Sequence, residues 1–258
     1  MSGLSHAMQS STLIRWNPSR DLIAILISYV VLVGMLYTAN VIIGPQIWGG
    51  MAYFLLYGVP TTMLLGIGFP LYWTVVVRRQ PISDLGLTTR NLGLSLGLQL
   101  VLGALQFFAT LSQVSIPGLS HLLPLVALAL AIGFFEAVFW RGWVLTRLEA
   151  AFGFLPALLV GSLLYAFYHI VYAMTLGEMI FIFFIGMLYA LSFRLIKNIF
   201  ILWPIFQPMG QLITLLKDGL DLPPLASLGF IEALIGMLAL VWLANRYQQG
   251  KLHRSARA

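Results

Sequence analysis

The stretch LLPLVALALAIGFFEAVFWRGWVL, residues 122–145, decides the fold. It stays apolar for longer than the ~20 residues that cross a bilayer, and its two charges, Glu136 and Arg141, lie inside it. A charged side chain at mid-membrane is costly, so each of the two needs a partner and each is a functional candidate. Outward from this stretch, apolar runs recur at 22–43, 51–77, 92–111, 154–174, 179–195, 199–216 and 227–243, for eight helices in all.

Composition agrees with this reading. Of 258 residues, 60% are apolar and 9% charged, with mean hydropathy +0.95, whereas a soluble domain is about one-quarter charged. The expected fold class is all-α, a polytopic membrane bundle. Residues 1–21 form an N-terminal cytoplasmic segment, 22–243 the eight-helix transmembrane domain, and 244–258 a basic cytoplasmic tail. The opening residues are polar and lack the apolar core and small-residue cleavage site of a signal peptide, so the first span directs insertion.

The net charge of +6 does not gather into a stripe that would track nucleic acid. It follows topology instead. With eight helices, Arg15, Arg20, Arg78, Arg79, Arg90, Arg147, Arg194, Lys197, Arg246, Lys251, Arg254 and Arg257 all fall on one side, and Lys217 on the other. The positive-inside rule places the cationic side and both termini in the cytoplasm, with the inner membrane of a bacterium as the expected site. Without cysteine, the chain has no disulfide, thiolate nucleophile or Cys-ligated metal, and neither a metal nor a cofactor is expected.

Three helices carry the candidate site. Glu136 and His169 lie at matching distances, each roughly 20 Å, from the turn at 151–156, so they can meet across a helical hairpin. A carboxylate beside an imidazole is a pair that can take a proton from water; the alternative is an interhelical polar contact that fixes packing. Arg141 is five residues after Glu136, off its face on an ideal helix, and Ala137 stands one turn before it. Gln207 and Gln211 share a face of the seventh span and either donate to a developing oxyanion or satisfy a backbone kinked by Pro204 and Pro208.

The stretches Glu136-Ala137-Val138-Phe139-Trp140-Arg141 and Tyr165-Ala166-Phe167-Tyr168-His169 resemble the EExxxR and FxxxH motifs of the CPBP family, the CAAX-protease and bacteriocin-processing (ABI) membrane proteins. The loop Pro81-Ile82-Ser83-Asp84-Leu85-Gly86-Leu87 resembles a phrase upstream of those motifs in bacterial members, and the likeness spans roughly 78–215. In active members the first Glu and the FxxxH His activate water, and a third motif, HxxxN, holds the oxyanion. The resemblance therefore implies Glu136 as base, His169 as its partner, Arg141 as organiser, and Gln207 and Gln211 in the oxyanion positions. Two departures stand out: the second Glu is Ala137, and HxxxN has become Gln207-xxx-Gln211. Gln207 keeps a donor and loses the titratable ring.

Two functions follow. The first is a catalytically silent or altered relative, kept as a scaffold, assembly factor or structural subunit of a membrane complex, with aromatic-rich faces for partner helices. The alternative is a glutamic-type endopeptidase that cuts membrane-anchored peptides or proteins, with Glu136 and His169 activating water. The lipid bilayer is a partner in both, nucleic acid in neither. A transporter fits less well, because no inverted repeat is visible.

Overall fold

A computed structural model describes residues 13–43, 51–110 and 114–255. It is helical over 82% of its length, with no strand among the described residues. Seven helices are long and apolar enough to span: α1 (Arg20–Ile43), α2 (Ala52–Val77), α3 (Leu92–Thr110), α4 (Leu119–Phe152), α5 (Phe154–Tyr172), α6 (Leu176–Ile196) and, after the short α7 (Phe206–Lys217), α8 (Ala226–Ser255). Leu111 and Arg257 of the expected elements, and most of the N-terminal segment, lie outside the described residues.

The expected seventh span, 199–216, is broken. A single 3₁₀ turn (Ile199–Ile201) and an irregular stretch lead into α7, because Pro204 and Pro208 each lack the N–H that a continuous helix would use there. The path still returns across the bundle. Asn198 Nδ2 donates to Thr88 O at 3.0 Å and Arg90 O at 2.8 Å, and Gln248 Oε1 accepts from Ile82 N at 3.3 Å, so the ends of α6 and α8 meet the same loop. Since α8 crosses once between them, the 199–225 segment crosses once the other way.

The α4 helix is the core. In its most apolar window 78% is buried, against 17% in α3 and in α8, which face outward. It ends at Gly153, whose φ of +86° suits a residue without Cβ. At the same end of the bundle the segment before α1 pairs with the α4–α5 turn, Arg15 N to Phe152 O at 2.9 Å and Leu155 N to Leu13 O at 3.0 Å. The 78–91 loop is docked there as well. Leu85 is fully buried, and a Cβ at Gly142 would collide with the Leu85 carbonyl, so the loop seats directly on the α4 backbone. Gly93 and Gly97, a small-xxx-small pair in α3, have nothing within 4 Å of where a Cβ would stand.

Beneath that loop, Asp21 is buried among cations. Its Oδ1 accepts from Trp73 Nε1 at 2.8 Å and lies 3.4 Å from Arg78 Nε, and its Oδ2 is 3.9 Å from Arg147 Nη1. Arg147 also donates to Gln80 Oε1 at 2.6 Å and Thr74 Oγ1 at 3.1 Å.

Candidate functional site

Glu136 lies near the middle of α4 and is fully buried. Its carboxylate accepts from two helices, α5 and α7. Oε2 takes Tyr165 Oη at 2.9 Å, Gln207 Nε2 at 2.6 Å and Gln211 Nε2 at 2.8 Å, and Oε1 takes Tyr168 Oη. Three of the four donors crowd Oε2 and one meets Oε1. The carboxyl group is thus held in apolar surroundings by neutral dipoles, each of them a side chain of this chain.

Local sequence explains the convergence. Tyr165 and Tyr168 are three apart on α5 and Gln207 and Gln211 four apart on α7, so each pair presents one face. The α7 helix approaches closely because Gly133 lacks a side chain: a Cβ there would lie 2.6 Å from Pro208 Cγ.

The hairpin brings α5 to Glu136 at the expected depth, through Tyr165 and Tyr168. His169 lies beside them. Its Nδ1 is 2.8 Å from Tyr165 O, and its ring packs at 4.2 Å from the Tyr168 ring and 5.0 Å from that of Tyr165, centroid to centroid. Among the described residues no hydrogen bond joins His169 to Glu136. The helix tightens to a 3₁₀ turn at His169–Tyr172, which turns the imidazole back along its own helix.

Arg141 departs from ideal-helix geometry. From Ala137 to Leu145 α4 is a π-helix with i→i+5 bonding, in which residues five apart succeed one another along the axis, so Arg141 follows Glu136 instead of facing away. Of the partners open to it, Glu149 is taken by Arg194, Nε to Oε1 at 2.9 Å. The guanidinium, 1% exposed, lies 4.6 Å from the Tyr165 ring centroid and 5.9 Å from that of Tyr189, and its Nε and Nη2 have no hydrogen-bond partner. Ala137 is fully buried within the same turn.

A cavity of about 120 Å³ adjoins the cluster, walled by Tyr165, His169, Tyr189 and Gln211 with Gln106 and Thr110 of α3. Glu136 and Gln207 do not line it; Gln211 and Tyr165 stand between. Among the described residues no three His, Asp or Glu side chains gather as metal ligands.

Reading the sequence missed the two tyrosines as site residues, although their i, i+3 spacing beside His169 was visible. Their hydroxyls are what α5 supplies to Glu136.

A glutamate that ties its own helix to two others inside an all-helical bundle marks a polytopic membrane protein with an intramembrane polar centre. Residues 118–206 match the family described as Type II CAAX prenyl endopeptidase Rce1-like, so this part of the chain is similar to Rce1-like membrane proteins of the CPBP family. The match holds Glu136, Arg141 and His169 and stops one residue short of Gln207. Comparison with curated proteins and with solved structures gives no match.

Proposed function

We propose that the chain is an altered, catalytically silent CPBP-family protein whose former acid–base centre ties helices together, and that it serves as a scaffold, assembly factor or structural subunit of a membrane complex. The four protein donors on Glu136 carry this reading. A general base must reach the water it deprotonates, and here four of the protein's own donors crowd the carboxylate, three on Oε2 and one on Oε1. Ala137 in place of a second carboxylate, and His169 turned to a carbonyl of its own helix, point the same way. Large exposed apolar side chains such as Phe108, Phe181 and Trp242 give faces for lipid or partner helices. The cation-rich end, with both termini, lies in the cytoplasm on this reading.

The endopeptidase reading has one observation in its favour: His169 and Gln211 wall a cavity next to Glu136. One comparison separates the two. Wild type and Glu136→Gln are purified from native membranes, assayed on membrane-anchored peptides, and checked for stoichiometric partners and for thermal stability. The scaffold reading expects partners to co-purify, no cleavage by wild type, and a clear loss of stability in the variant, whose amide presents donors to donors. Wild-type cleavage that disappears in a variant of unchanged stability would establish the endopeptidase instead.

A further inference from the structure

We infer that the cavity beside the glutamate cluster is a water-filled vestibule, open at the end of the bundle opposite the termini and closed from Glu136 by Gln211, that admits small hydrogen-bonding solutes. The inference goes beyond the scaffold reading and holds whichever role Glu136 plays.

Size and chemistry come first. One water needs roughly 10–15 Å³ of such volume, so about 120 Å³ holds several. The wall sets the amides of Gln106 and Gln211, the hydroxyls of Thr110, Tyr189 and Thr214, and the His169 ring among apolar side chains such as Ile182, Ile185 and Ile213. Gln106 Oε1 is buried and has no protein partner, an orphan acceptor that water satisfies. Gly210 lets two of these polar groups seat against the α7 backbone: a Cβ there would stand 2.6 Å from Tyr189 Oη and 2.8 Å from Gln106 Nε2.

Direction follows from the lining. Met174, just past α5, and Lys217, the last residue of α7, belong to the cavity, and both lie at the far end from the 78–91 loop and the α4–α5 turn. At its inner end Gln211 both lines the cavity and donates to Glu136. Gln207, fully buried and outside the lining, lies beyond it. On the lipid side, between α5 and α6, a groove lined only by apolar residues such as Leu163, Phe167, Ile180 and Phe184 offers water nothing.

The absence of native cysteine allows a direct test. A thiol reacts with methanethiosulfonates as the thiolate, which forms only where water reaches. Thr110→Cys and Thr214→Cys, conservative changes on two helices, are compared in sealed vesicles with Phe184→Cys. That position is 61% exposed but faces the apolar groove. Asp221→Cys and Ser83→Cys report the two sides, and wild-type-like thermal stability confirms that each variant is folded. A membrane-impermeant reagent should label both threonine positions from the Asp221 side only, roughly tenfold or more faster than Phe184→Cys. Failure of both folded threonine variants to react, reaction from the Ser83 side, or equal rates at Phe184→Cys would each overturn the vestibule. None of these outcomes bears on whether Glu136 is a base, so the two readings fail separately.

Discussion

Asp21 and Glu136 are both buried carboxylates, and they are held in opposite ways. Asp21, 4% exposed at the cationic end of the bundle, has two arginines and an indole around it, and one of those arginines, Arg78, reaches solvent. Glu136, at the centre, takes two phenols and two amides, with its nearest cation lying across a phenol ring. The first arrangement is an ion-pair staple between α1, α2 and α4. The second is a hub of neutral dipoles between α4, α5 and α7. Charge pairs at a wet end gain from Coulomb attraction and lose to screening, whereas a dipole hub in the apolar interior is insensitive to salt.

The largest expected effect removes the hub. Glu136→Leu leaves four donors without an acceptor, and at about 0.6–1 kcal/mol each the loss is about 3 kcal/mol, read by denaturant titration in micelles. Asp21→Asn keeps the Trp73 bond and deletes the charge, for a loss of about 2 kcal/mol at low salt. Raising salt to about 1 M, where the screening length is about 3 Å, should shrink the Asp21→Asn effect and leave the Glu136→Leu effect unchanged. Equal salt dependence at the two sites would dissolve the comparison. The smallest effect is Tyr168→Phe, which removes one donor of the four at about 1 kcal/mol, also independent of salt. A loss as large as that of Glu136→Leu would mean that Tyr168 acts through packing against Trp140 and His169 more than through its hydroxyl.

Hydropathy made the membrane bundle, the hairpin and its depth legible, because each depends only on run length and helical rise. The pairing of Gln207 with Gln211 on one face was equally visible from their spacing. What could not be read was where standard geometry gives way. A π-helix leaves no mark in hydropathy, so the ideal-helix angle between Glu136 and Arg141 does not hold in this turn. The two prolines announced a kink, while the outcome, a 3₁₀ turn followed by a twelve-residue helix, depends on contacts such as Trp203 Nε1 with Leu130 O at 3.0 Å. The seating of the 78–91 loop shows only in the bare α4 backbone at Gly142, where a side chain would collide with the Leu85 carbonyl.

The glycine at 133 sets how tightly the centre can close. By letting Pro208 rest against α4, it fixes the distance over which Gln207 and Gln211 reach the carboxylate, so the polar centre is tuned from a position that carries no polar atom in its side chain. A lineage could loosen or tighten its grip on Glu136 through this contact alone, without altering any residue that touches it.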